Sequence, residues 1–323
     1  MAHLCTSLVN AFGLVVNMLL IWLSLSRSPS AMGRYKYMIC ASACVNIFYI
    51  IVHELVGLRY AVFNGIVEMA YAGYVAFSND TAQWLIFVYM ELFILVQIVN
   101  SWHFYFRYAI VCRPDWLESW RINTCPVLFG VAILVSSANC VFGYMTSSDD
   151  PWRASYRLHL NVLDEITQEW LVNWPSLSAV GLFCILLVTS MSLCLLGSIL
   201  IIRKIRSLPG DSAAKKMQWQ LLKSLLAQVF LCSNCHHPFI QFTVPFLIFN
   251  VCTVGIVVSA IFLDGSVPRW ALALIEHCET LLPIADPLFF IFFVSSYRNA
   301  LRQIVGVSSK SAINTTFITA STI

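Results

Sequence analysis

Three groups of residues in this chain have types and spacings that could do chemistry. The first is Cys232-Ser233-Asn234-Cys235-His236-His237. Its Cys-x-x-Cys-His core has the spacing of a haem attachment, and Cys232, Cys235 and His236 are suitable zinc ligands. The second is Glu276, Glu279, Pro283 and Asp286, spaced so that all four share one face of a helix. The third is Asn100, His103 and Arg107, again on one helix face, at the end of a long apolar run. Ionisable groups in such surroundings are costly unless they face a cavity, a partner or an interface. No nucleophile–base arrangement and no phosphate-binding loop accompanies them, so neither an enzyme nor a cofactor is expected.

The elements that position these groups follow from composition. The chain has 323 residues, 59% of them hydrophobic and only 11% charged, with mean hydropathy +0.78. A soluble domain carries about 25% charged residues. The surface here must therefore face lipid, where only helices and closed barrels satisfy the backbone. The apolar runs are about 20 residues long rather than alternating ten-residue segments, which selects helices. A net charge of +3 gives no reason to expect a nucleic-acid partner.

Seven spans are predicted, at about 4–25, 37–58, 83–107, 124–145, 177–202, 219–262 and 270–294. The fold class is thus an all-α membrane protein, a seven-transmembrane helix bundle. The first run is too long for a cleaved signal and lacks a basic lead, so it reads as a retained span. With the amino terminus outside, fifteen of the nineteen Lys and Arg fall on the cytoplasmic side and four outside. That asymmetry follows the positive-inside rule and puts the carboxyl terminus in the cytoplasm, which needs an odd number of spans.

Within the spans, Asn10 and Asn17 lie on one face of the first, where a buried amide usually joins helices. Gly33 suits a tight basic turn before the second span. His53-Glu54 and Glu91 are also embedded, Glu91 on the face opposite Arg107. Glu91, Gln97, Glu276 and Glu279 are candidates to line a small-molecule pocket. For Glu279 a structural role is equally open. Asp286-Pro287 lies deeper, where an acid beside a freed carbonyl could serve as a switch or hold an ion, or simply satisfy a neighbouring helix.

Residues 59–82 show no clear period and are expected to be an outer loop, with a sequon at Asn79 beside the membrane. Residues 146–176 form an acidic outer loop without cysteine, so no disulfide framework is predicted and the twelve cysteines read as buried thiols. The basic stretch containing Lys215 and Lys216 suits anionic lipid or an acidic groove on a partner. Residues 303–323 are Ser/Thr-rich and expected to be a disordered tail.

Four motifs in chain order resemble a known family. Gly33-Arg34-Tyr35-Lys36-Tyr37-Met38 is similar to its Gly-x-Tyr-Lys-Tyr-Leu start of the second span. His103-Phe104-x-x-Arg107-Tyr108 is similar to its His-Phe-x-x-Arg-Tyr end of the third. Met217-Gln218-x-Gln220-Leu221 resembles the start of its sixth, and Asp286-Pro287-Leu288 with Tyr297-Arg298-Asn299-Ala300 the close of its seventh. The family is the nematode serpentine chemoreceptors of the Str/Srj group, a class of G-protein-coupled receptors. The resemblance implies an outer pocket for an odorant-like small molecule and an inner surface for a heterotrimeric G protein. It makes Arg107 and Tyr108 the third-span switch and puts Asp286-Pro287 where the wider superfamily has Asn-Pro. It also implies a multi-pass location in the plasma membrane, in a sensory cilium. The disulfide that clips the third span in many such receptors has no cysteines here.

The resemblance also weighs against the metal reading. The Cys-x-x-Cys-His motif lies inside a 44-residue apolar stretch, about twice one span, without a second ligand pair. Joining Gln228 to Phe242-Thr243-Val244-Pro245 restores the family's Gln-x-x-x-Pro, so residues 229–241 read as an insertion. An unspliced intron is one source. The competing function is a secondary transporter or ion pathway using the seventh-span carboxylates, against which no internal repeat is found.

Overall fold

The computed structural model describes residues 2–29, 32, 35–63, 66–112, 124–146, 148–149, 155–159, 161–163, 170–207, 215, 218–222 and 269–304. Gly33, Lys216, the Cys232–His237 motif and the suspected insertion lie outside the described residues, as does nearly all of the expected sixth span.

Helix α1 spans Ala2–Ser26, α2 Tyr35–Val56, α3 Asn79–Cys112, α4 Thr124–Thr146, α5 Trp174–Ser207, α6 Arg269–Phe293 and α7 Ser295–Ile304. Four of these, over Cys5–Ser26, Tyr35–Val56, Asn79–Cys112 and Trp174–Ser207, are long and apolar enough to cross a membrane. Helix α6 contains Pro283 and Pro287 and meets α7 at a 91° bend. Helix α7 buries Tyr297 and Ala300, three apart, and leaves Arg302 outward. It docks on α1, where the Tyr297 hydroxyl meets Ser28 Oγ at 2.7 Å and donates to Ser24 Oγ at 3.2 Å.

Helix α3 is the axis of the bundle, packing against α2, α4 and α5, while α1 packs between α2 and α6. Its buried stripe is Ile86, Tyr89, Phe93, Val96, Asn100, His103 and Arg107, with alternating steps of three and four residues. That is the period of a helix seam facing neighbours along its whole length. The stripe is aromatic and aliphatic in its first half and polar in its second. Ser78 starts the helix as an N-cap, its Oγ accepting the Thr81 N–H at 3.3 Å. Close approach of α1 depends on Gly13, where an added Cβ would lie 2.8 Å from Ile284 Cγ1 and 3.0 Å from Ile50 Cδ1.

The purely helical expectation needs correction. Among the described residues, six short strands occupy one end of the bundle: β1 Arg59–Phe63, β2 Ile66–Ala70, β3 Ser148–Asp149, β4 Ser155–His159, β5 Asn161–Leu163 and β6 Trp170–Val172. Strands β1, β2, β4 and β3 form one antiparallel sheet in that order, and β5 pairs with β6. The segments 59–82 and 146–176, expected as loops, therefore join in a single sheet through β2 and β4. Across that join Glu68 lies opposite Arg157, whose Nη2 and Nε reach Glu68 Oε1 at 3.1 and 3.2 Å. Gly57 makes the turn from α2 into β1, with φ +52°, a left-handed conformation that ends a helix without the strain a Cβ would bring. Gln303 and Ile304, expected in the tail, belong to α7, and residues 305–323 lie outside the described residues.

Candidate functional site

At the strand-bearing end, β1 is fastened to α6. Arg59 Nη1 pairs with Glu276 Oε2 at 3.1 Å, and the Tyr60 N–H donates to Glu276 Oε1 at 3.4 Å. One turn deeper, Glu279 is buried and accepts two phenol hydroxyls, from Tyr60 of β1 and Tyr89 of α3, both at 2.7 Å. Tyr89 also meets the Tyr49 hydroxyl of α2 at 2.8 Å. A single carboxylate thus gathers three helices and a strand. Burial, then the adjacent Glu279 carboxylate, push the Tyr60 phenol well above its ordinary range, which keeps it a hydrogen-bond donor.

Beside this cluster, a cavity of about 60 Å³ opens between α1, α2 and α6. Glu54 on its wall accepts the Ser7 hydroxyl at 2.5 Å and Asn10 Nδ2 at 2.6 Å. His53 lies next to it, Nδ1 at 3.2 Å from Asn10 Nδ2 and Nε2 at 3.5 Å from Thr280 Oγ1.

Half-way along α6 the polar contacts become interhelical bonds. Asn17 Nδ2 donates to Pro283 O at 2.9 Å and to Gly13 O at 2.8 Å. Proline at 287 cannot donate to the carbonyl of residue 283, which leaves that oxygen available. Asp286 is buried and accepts the Ser42 hydroxyl at 3.3 Å, with Asn46 buried one turn along α2.

At the opposite end Arg107 is 1% exposed. It donates through Nη2 to Gln218 Oε1 and, at 3.4 Å, to Gln218 O. Its guanidinium carbon also stands 5.1 Å from the centroid of the Tyr35 ring. Tyr35 holds His103 as well, its hydroxyl 3.1 Å from Nδ1, and stacks on Phe106. Among the described residues no carboxylate pairs with Arg107. The neighbouring Gln220 Oε1 accepts from Ser295 N and Oγ, joining the segment that holds Arg107 to the start of α7.

Polar networks at both ends of a bundle of apolar helices, joined by a helix that carries two prolines, fit a membrane signalling receptor. Residues 2–157 and 155–302 match the family model described as serpentine type 7TM GPCR chemoreceptor Str. The chain belongs to that family. No curated protein matches the chain. The Str receptor is therefore a multi-pass membrane protein of a chemoreceptor class, not of an enzyme family.

The Str receptor brings only some of the sequence candidates together. Glu276, Glu279, Pro283 and Asp286 do share one side of α6, toward β1, α1, α2 and α3. Glu91 stands apart from them. It faces α4, where Ser136 donates to its Oε1 at 2.5 Å and Ser137 at 3.0 Å. Gln97 is buried, and its side-chain amide has no hydrogen bond among the described residues, while its carbonyl accepts from Ser101 and Ser190 of α5. Tyr108 is half-buried and packs on Ile201, Ile205 and Leu222 at the Arg107 end. Lys215 is half-buried. Sequence reasoning missed Tyr60, Tyr89 and Tyr49, and named Tyr35 only within a motif. It named Gln218 only as part of a motif, not as the partner of Arg107.

Proposed function

We propose that this Str receptor is a chemosensory receptor that binds a small, odorant-like molecule from outside and signals to a heterotrimeric G protein within. The amino terminus and the strand-bearing end face outward, and the carboxyl terminus and the Arg107 end face the cytoplasm. Lys and Arg asymmetry supports that orientation. The receptor has seven spans, and its place is the plasma membrane, in a sensory cilium.

The observation that carries the reading is the pairing of a buried arginine with a residue it can leave. Among the described residues, Arg107 is held by a neutral amide and an aromatic face, Gln218 and Tyr35, rather than by a buried counter-ion. Removing a guanidinium from such partners is less costly than breaking a buried ion pair. Ligand contact near Glu276 and Glu279 bears on α6, and Asp286, Pro287 and the bend to α7 connect that helix to Gln220. A ligand favouring the state in which Arg107 has left Gln218 shifts the population toward it. Arg107, Tyr108, Lys215 and Lys216 then meet the G protein.

The test is G-protein nucleotide exchange in membranes bearing the receptor. Arg107→Ala is expected to abolish ligand-dependent exchange at unchanged surface expression, and normal exchange in that variant would remove Arg107 from the mechanism. The seventh-span carboxylates each meet a neighbour within the protein, which favours a receptor over an ion pathway.

A further inference from the structure

We propose that the cavity between α1, α2 and α6 binds a small organic cation of the primary ammonium class. This rests on reading the strand-bearing end as the ligand side, and adds the chemistry of the ligand.

The argument is an inventory of protons and charges on the cavity wall. Glu54 and Glu276 line it, and Arg59 is the Lys or Arg among its described lining residues. Arg59 is paired with Glu276, and among the described residues the Glu54 carboxylate is held by neutral donors, Ser7 and Asn10. His53 does not supply the missing charge. Asn10 Nδ2 must be the amide nitrogen, because it donates to Glu54 Oε2, so the His53 Nδ1 that it also faces accepts. An imidazole accepting at Nδ1 is neutral. The exposed His277 on the rim and the exposed Tyr74 complete the titratable groups there.

Two of the hydroxyls on the wall are already committed as donors. The Ser7 hydroxyl is committed to Glu54, and the Thr280 hydroxyl donates to Glu276 O at 2.8 Å. Both present lone pairs to the cavity they line. The wall therefore offers hydroxyl and carboxylate acceptors and, over its described lining residues, is negative by one charge. An ammonium, with three donors and one positive charge, answers both features. The volume admits a ligand of only a few heavy atoms. The Arg59–Glu276 pair is exposed, at 47% and 20% of its side chains, so it is weak enough for an incoming cation to share Glu276 and loosen β1 from α6.

The test uses purified full-length receptor and three probes of one chain length: propylammonium, 1-propanol and propionate. Each is titrated to about 10 mM, the range a ligand this small reaches, with heat-induced unfolding and equilibrium binding as readouts. Saturable binding and a raised unfolding temperature are expected for propylammonium alone. Glu54→Gln and Glu276→Gln, which keep shape and remove charge, should each weaken it about tenfold or more. Equal binding of 1-propanol, no saturable binding of propylammonium, or undiminished binding in Glu54→Gln would overturn the proposal. If either variant fails to fold, the three-probe comparison on the unaltered receptor decides. Propylammonium that binds without driving G-protein exchange supports the site and counts against the receptor reading. Exchange driven by neutral ligands with no ammonium binding does the reverse.

Discussion

Tyr60, on a strand outside the helix bundle, donates its hydroxyl over 2.7 Å to Glu279, which is buried within it. The bond joins β1 to α6 and shares its acceptor with Tyr89 of α3. Tyr60→Phe keeps the ring and removes the proton. A buried acceptor deprived of a donor costs about 1–3 kcal/mol. We expect Tyr60→Phe and Tyr89→Phe each to lower stability by that amount in thermal inactivation of detergent-solubilised receptor. The double variant should differ from the sum of the two losses, since both hydroxyls serve one carboxylate. Strict additivity would show that the two bonds do not meet at Glu279.

Gln218 holds Arg107 through both its side chain and its backbone carbonyl. Gln218→Leu leaves the carbonyl contact and removes the stronger one. Basal nucleotide exchange should rise about fivefold or more, the range in which conformational coupling usually falls. Arg107→Lys should not behave like the native residue, because an ammonium cannot reproduce the planar contacts with Gln218 and the Tyr35 ring. Unchanged basal exchange in Gln218→Leu would mean that this contact does not restrain the resting state.

Asn17 and Gly13 together set the distance between α1 and α6. Asn17→Leu removes the bond to Pro283 O, and interhelical bonds of this kind contribute about 0.6 kcal/mol on average and about 1.7 at most. Gly13→Leu is expected to be the more damaging, at about 1–3 kcal/mol, since even its Cβ would lie 2.8 Å from Ile284 Cγ1. Ranking the two by heat inactivation checks this. If Asn17→Leu costs more, the amide matters beyond packing.

Helices α1, α2 and α6 were legible in the sequence because each apolar run is about one bilayer long. The ends of α3 and α5 were not. Helix α5 continues to Ser207 because Ile205, though flanked by Lys204 and Arg206, is buried against Ile201 and Leu222. Hydropathy averages over such a residue. The β1–β2 hairpin had a signal that went unused: Asn64-Gly65 between two runs rich in aromatic and β-branched residues. The carboxylates of α6 were visible as a stripe, since their spacing is set by one helix. Their tyrosine partners come from β1, α2 and α3, and no periodicity links positions 49, 60, 89 and 279. The same separation hid the bond between Arg107 and Gln218.

The sheet that unites two expected loops depends on Glu68 facing Arg157 across β2 and β4. Glu68 is buried while Arg157 is partly open. Removing the cation alone strands a carboxylate in the interior, a change that costs about 3–5 kcal/mol in comparable pairs, whereas replacing both partners with apolar residues is often nearly neutral. Arg157→Leu should therefore open the sheet to protease near β4, and Glu68→Leu combined with Arg157→Leu should close it again. Limited proteolysis of receptor in sealed vesicles, strand-bearing end outward, reads both. If the double variant is cut as readily as Arg157→Leu, the guanidinium holds β4 through contacts other than Glu68. If neither is cut, the backbone pairing of β2 with β4 suffices without the ion pair.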